Sequence, residues 1–235
     1  MINKPIQINE IFYSFQGEGV FLGKPSIFIR TTGCNLHCKH CDTKYSWKNK
    51  KLITPGDVID FLNNVTHCDN IVITGGEPLL QKDLAGFLSL LTSSLRPFHI
   101  TVETNCTLFK EELLEYVDLW SLSPKLPGMG ATYKPAVLKS FLNQFQFGEI
   151  STQLKFVVED SSDLKLVNTI LHKNNCGDVP IILQPNNHGV KTTSQYLKKY
   201  KWLVEEVEKV TSFTGYNIRV LPQMHVLTYG RRKGI

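Results

Sequence analysis

No apolar run in the 235 residues approaches the roughly 18 to 20 positions that a bilayer-spanning helix requires, and the opening Met1-Ile2-Asn3-Lys4-Pro5 lacks the apolar stretch of a secretory signal. Repeats at a period of roughly 20 to 50 residues and low-complexity tracts are absent too, which excludes solenoids and linker-joined arrays. There is no strong charge of one sign. Twenty-six Lys and Arg against 21 Asp and Glu leave +5, which suits an anionic small ligand but is too diffuse for a nucleic-acid surface. The six cysteines lack the even spacing of a secreted disulfide framework: three crowd together, while Cys68, Cys106 and Cys176 stand alone. A reducing, cytosolic compartment is therefore expected. With 42% apolar and 20% charged residues, the chain can bury a core as one compact unit over residues 1–235.

Short β-branched or aromatic runs recur at Ser26–Arg30, Ile71–Thr74, His99–Glu103, Leu119–Leu122, Leu154–Val158, Ile181–Gln184 and Ile218–Leu221, and these read as strands. Helical spacing fills the gaps. Thr54 as N-cap and Pro55 at the first helical position precede Val58, Ile59 and Leu62 on one face. Further helices are expected over Leu79–Leu91, Lys110–Tyr116, Ala136–Phe145, Ser161–His172 and Ser194–Val210. Strand and helix in alternation predict an α/β fold, a parallel sheet with helices packed outside it. Because a full eight-fold barrel takes about 250 residues, about seven strands in this chain predict a shortened, partly open (β/α) barrel. Chemistry in such folds gathers at the carboxyl ends of the strands.

Directly after the strand ending at Arg30 comes Thr31-Thr32-Gly33-Cys34-Asn35-Leu36-His37-Cys38-Lys39-His40-Cys41-Asp42-Thr43. Three thiols so close can converge on one soft metal centre, zinc or an iron–sulfur cluster. A structural zinc site wants four ligands in two separated pairs, and no second pair is evident, although His37, His40 or Cys68 could complete one. Three cysteines on a cubane leave one iron open to a cosubstrate, which is a catalytic arrangement.

The spacing Cys-x3-Cys-x2-Cys of Cys34, Cys38 and Cys41, on a loop after the first barrel strand, resembles the signature of the radical S-adenosylmethionine superfamily. A second motif stands where that superfamily places one: Gly75-Gly76-Glu77-Pro78 follows the strand Ile71–Thr74. Two glycines allow a close backbone approach to a ligand, and the Glu77 carboxylate can accept a charge-assisted hydrogen bond from the methionyl ammonium. The structural alternative is a strand-to-helix turn with Glu77 at a helix N-terminus. Nearer the start, Ser14-Phe15-Gln16-Gly17-Glu18-Gly19 and then Arg30 supply donors, acceptors and a bidentate fork suited to a heterocycle bearing amide, amino and carboxylate groups.

This combination, with Cys41-Asp42-Thr43, Ser123-Pro124-Lys125, Gln184-Pro185 and Pro222-Gln223-Met224-His225 further on, is similar to the 7-carboxy-7-deazaguanine synthase family along essentially the whole chain. The resemblance implies a carbon–nitrogen lyase of queuosine and 7-deazapurine biosynthesis. In it, a 5′-deoxyadenosyl radical abstracts a hydrogen atom from C6 of 6-carboxy-5,6,7,8-tetrahydropterin, and ring contraction with loss of ammonia gives 7-carboxy-7-deazaguanine. It implies a [4Fe-4S] cluster on Cys34, Cys38 and Cys41. S-adenosylmethionine would contact His40, Cys41, Asp42, Gly76, Glu77, Ser123, Pro124, Lys125, Gln184, Pro185, Asn186 and Asn187. The pterin would meet Phe15, Gln16, Gly17, Glu18, Arg30, Thr74, His225 and the terminal Ile235, with Mg²⁺ on Thr43 and the substrate carboxylate. An external electron donor such as a flavodoxin and a homodimer are implied as partners, with no nucleic acid or membrane. Three positions depart from the pattern: His40 where a bulky aromatic is common, Cys106 where glycine is common, and a basic C-terminus. Two other readings compete, a glycyl-radical-enzyme activase and a zinc-stapled binding module without catalysis.

Overall fold

The computed structural model of the chain describes residues 6–48, 51–94 and 96–230, the side chains at 51, 52 and 55 excepted. Nine strands are β1 (Gln7–Phe15), β2 (Pro25–Thr31), β3 (Lys51–Leu52), β4 (Asn70–Gly75), β5 (His99–Thr104), β6 (Leu119–Leu122), β7 (Thr152–Val158), β8 (Ile181–Pro185) and β9 (Ile218–Val220). Six helices are α1 (Pro55–Asn64), α2 (Leu84–Thr92), α3 (Pro135–Gln146), α4 (Ser161–Asn174), α5 (Thr193–Glu208) and α6 (Met224–Tyr229). The strands form one sheet in the order β3-β1-β2-β4-β5-β6-β7-β8-β9, with β3 and β9 as free ends. From β2 to β9 every pairing is parallel, so the partly open (β/α) barrel expected from the sequence is the architecture observed.

Period-two alternation sorts the side chains of these strands. Ile27, Ile29, Ile71, Ile73, Ile100, Val102, Leu154, Phe156, Ile181 and Leu183 face the helices and join Val58, Leu62, Phe87, Leu91, Phe141 and Leu164 in one continuous core. Full burial of each such side chain contributes roughly 1.5–3 kcal/mol. Their neighbours Arg30, Thr74, Glu103, Lys155 and Val157 turn the other way and line a single cavity at the carboxyl ends of the parallel strands.

Four local expectations change. The segment before Ser26 contains β1, antiparallel to β2; a register shift between Ile8 and Glu10 breaks the alternation that would have revealed it. The helix expected over Leu79–Leu91 is a 3₁₀ turn at Pro78–Leu80 followed by α2, and Lys110–Tyr116 is a 3₁₀ segment over Glu111–Tyr116. The short α6 carries no signal beyond Gly230 after its end. Thr54 does cap α1, in a reciprocal capping box with Asp57.

Candidate active site

Cys34, Cys38 and Cys41 lie on one wall of a cavity of about 540 Å³. The loop that carries them is held from several sides. The Gly33 N–H donates to Ser46 O (3.0 Å), the Lys39 N–H to Met129 O (2.9 Å) and the Cys41 N–H to Cys38 O (3.3 Å). Burial pushes the Cys34 and Cys38 thiols above their ordinary range. Among the described residues, no group of three His, Cys, Asp or Glu closes around a single ion. A tetrahedral zinc needs its ligands about one centre, whereas a cubane takes each thiolate at a different iron. The three-thiol donor set on one short loop fits a cluster with one open corner. Cys68, Cys106 and Cys176 are buried in the hydrophobic core and do not line the cavity.

The glycine motif after β4 docks against the root of that loop. The Gly76 N–H donates to Thr31 O (3.2 Å) and the Glu77 N–H to Gly33 O (2.8 Å). A Cβ on Gly76 would stand 2.0 Å from Gly33 O, so only glycine permits this approach. Gly75 and Gly76 line the cavity. Glu77 does not, which corrects its assignment to the methionyl ammonium. Its side chain is fully buried; Oε1 accepts from the Leu79 N–H (3.1 Å) and Thr104 Oγ1 (2.8 Å), and Oε2 from the Asn105 N–H (2.7 Å). Burial raises its pKa, partly offset by those donors and Lys125. The carboxylate ties β4 to β5 instead of reaching a ligand.

Other expected cosubstrate residues divide. His40, Cys41, Asp42, Ser123, Lys125, Asn186 and Asn187 reach the cavity; Pro124, Gln184 and Pro185 do not. Gln184 is buried with both amide atoms unpartnered. The Lys125 ammonium donates to Ser123 Oγ (2.7 Å). His40 packs its ring 3.8 Å from that of His188, so an aromatic stack exists even without the usual bulky residue at position 40. Thr43 precedes a 3₁₀ turn without capping it, and its hydroxyl lies 3.6 Å from Cys41 Sγ.

Across the cavity, Phe15, Gln16, Gly17, Glu18, Arg30, Thr74 and His225 come together, and Ile235 lies outside the described residues. Gly17 faces the His225 ring so closely that a Cβ would meet Nδ1 at 2.5 Å, and the Met224 N–H donates to Gly17 O (2.9 Å). The first turn of α6 thus clamps the Gly17–Gly19 turn. Arg30 Nε donates to Glu10 Oε1 (2.7 Å), which also accepts from the Tyr45 hydroxyl (2.7 Å).

Sequence reading missed the centre of this half. Lys155, only 8% exposed, is ion-paired with Glu18 and lies 3.7 Å from Glu103 Oε1. Glu103 Oε2 accepts from Thr74 Oγ1 (2.8 Å), its Oε1 from Gln16 Nε2 (3.4 Å), and Glu18 Oε1 from Gln223 Nε2 (2.6 Å). Burial alone would raise the Glu18 carboxyl; Lys155 and His225, with hydrogen bonds from Lys155 and Gln223, bring it down to about 2. An ionised Glu18–Lys155 pair therefore stands inside the cavity, with the Glu103 side chain beside it. The available signal was a charged residue on the non-helix face of each of two barrel strands, at their carboxyl ends.

An open parallel barrel with three thiols of this spacing at its mouth defines the class: a radical S-adenosylmethionine enzyme. Residues 28–122 match the model of the Radical SAM superfamily. The crystal structure of QueE from Escherichia coli superposes with a TM-score of 0.65 over 94% of both chains, at 24% identity, and shares the fold. At the level of sequence, the 7-carboxy-7-deazaguanine synthase of Halobacterium salinarum is 34% identical over 94% of this chain and 89% of its own length. That of Bacillus subtilis is 30% identical over 99% of both. The chain belongs to the 7-carboxy-7-deazaguanine synthase family.

Proposed function

We propose that this chain converts 6-carboxy-5,6,7,8-tetrahydropterin to 7-carboxy-7-deazaguanine with release of ammonia. The observation that carries this reading is one cavity with two chemically distinct walls, three cysteine thiols on one and the Glu18–Lys155–Glu103 array on the other. When bound through Cys34, Cys38 and Cys41, a [4Fe-4S] cluster and S-adenosylmethionine supply the one-electron cleavage that starts the radical reaction.

The chain's own residues bind and orient. Glu18 and Glu103 are acceptors for the N–H groups of a pterin edge, and Lys155 keeps the Glu18 carboxyl ionised inside a buried wall. Arg30, set by Glu10 and Tyr45, offers a guanidinium to the substrate carboxylate. Phe15 and Phe28 give the ring plane apolar surface. Because these polar groups are already fixed to one another, little rearrangement is needed on binding. Gly75 and Gly76 leave backbone open to the cosubstrate, Lys125 and Asn186 stand along its path, and His40 with His188 offers a stacking face. Thr43 shares a Mg²⁺ with the substrate on this reading; one neutral hydroxyl makes that affinity dependent on substrate and water. The whole chain, 1–235, is read as one working unit, cytoplasmic and homodimeric, fed by a flavodoxin-type donor; among the described residues no helix is long and apolar enough to cross a membrane.

Anaerobic reconstitution with iron and sulfide, then incubation with 6-carboxytetrahydropterin, S-adenosylmethionine, Mg²⁺ and a reductant, tests the reading. Deazaguanine product and 5′-deoxyadenosine should both form. Nucleoside without deazaguanine would refute the substrate, and a colourless zinc protein would refute the chemistry.

A further inference from the structure

Cys34 is treated differently from the other two thiols. Its Sγ receives the Leu36 N–H at 3.4 Å and the side-chain amide of Asn105, Nδ2, at 3.7 Å. Asn105 is buried after β5, and its amide is held from all sides. Oδ1 accepts from both the Thr107 N–H (3.1 Å) and the Thr107 hydroxyl (2.6 Å), which fixes the nitrogen toward the sulfur. That nitrogen also donates to Asn35 Oδ1 (3.0 Å), and the Asn35 amide donates to Thr107 Oγ1 (2.8 Å), closing a ring of three side chains. The Asn105 backbone N–H is held by buried Glu77 (2.7 Å).

We propose that Asn105 is a positioning residue that sets the reduction potential of the cluster through Cys34, and that Asn35 and Thr107 exist to aim it. An N–H donor on a ligating thiolate withdraws electron density and favours the reduced cluster, the form with the extra negative charge. The inference rests on Cys34 being a cluster ligand. It also gives buried Glu77 a role: it anchors the backbone from which the amide reaches the sulfur.

The test is an anaerobic redox titration of reconstituted protein followed by electron paramagnetic resonance. Dithionite supplies one electron per cluster, taking [4Fe-4S]²⁺ to [4Fe-4S]⁺. Asn105→Asp keeps the acceptor for Thr107 and removes the donor, but adds a carboxylate whose charge lowers the midpoint as well, so Thr107→Val, which adds no charge, must show the same sign for the inference to stand. With iron and sulfide content equal to wild type, its ratio of reduced to oxidised cluster at a fixed potential should fall about tenfold, a midpoint about 59 mV more negative for a one-electron couple. Thr107→Val, which leaves Asn105 in place but frees its amide, should shift the midpoint in the same direction by less. If Asn105→Asp loads no cluster, Thr107→Val decides alone. A loaded variant with an unchanged midpoint overturns the inference and leaves the family chemistry standing. A wild-type protein that takes up no iron and sulfide overturns the ligand assignment and the inference with it.

Discussion

Replacing Lys155 by Met removes the one ammonium between Glu18 and Glu103 while nearly conserving volume. Glu18 is held at about 2 against an ordinary 4.5, which corresponds to about 3 kcal/mol of stabilisation of its ionised form. Breaking a buried ion pair from one side typically costs about 3–5 kcal/mol, in agreement. The sign with pH follows. A depressed carboxyl contributes its full stability above the unfolded value of 4.5 and loses it as pH falls toward 2. Without Lys155 burial dominates, the carboxyl rises, and protonation relieves the strain. The variant's deficit relative to wild type should therefore be largest near neutral pH and shrink on acidification through the carboxyl range. Anaerobic urea unfolding of both apoproteins at neutral pH and near pH 4.5, followed by circular dichroism, measures it. An equal deficit at both pH values would show that Lys155 acts by packing and that the charge argument is wrong.

Further outcomes follow from the same geometry. Cys38→Ala should abolish cosubstrate cleavage; 5′-deoxyadenosine released at the native rate by high-performance liquid chromatography would refute the ligand assignment. Arg30→Ala should raise KM for the pterin by at least about tenfold, a charge-assisted contact being lost, while uncoupled cleavage without substrate persists. Equal loss of both would count against a substrate role. Gly76→Ala, whose Cβ would stand 2.0 Å from Gly33 O, should push the cysteine loop out of place and reduce iron content, whereas Gly177→Ala, with open space around it and no left-handed backbone, should not.

The fold was readable because the parallel strands are buried on the helix side by apolar, largely β-branched runs, and the cysteine loop because its three thiols lie within eight residues of one another. What stayed hidden is non-local. Lys155 and Glu18 are 137 positions apart, and Glu103 and Gln16 are 87 apart; nothing in either segment announces the other. Glu77 was misread for a related reason. A carboxylate beside two glycines satisfies the chemistry of ammonium recognition, yet the donors it meets, Thr104 and Asn105, come from the next strand and cannot be inferred from its own loop.

Alternation supplies the missing rule. On a strand whose alternate side chains pack against helices, each intervening position is either apolar filling or a polar or charged group turned toward the cavity. Ser121 and Gln153 sit on that face and bond to each other and to the Val20 N–H, so they line the barrel with satisfied polar contacts. Glu103 and Lys155 sit on the same face nearer the carboxyl ends, where burying a charge costs several kcal/mol unless it is paired. The pairing found here uses partners from β1's exit loop, β5 and β7 at once, so it fixes the Gly17–Gly19 turn to the barrel while presenting carboxylate oxygens to the cavity. One buried lysine thus closes the substrate half of the site and holds it shut against its own like charges.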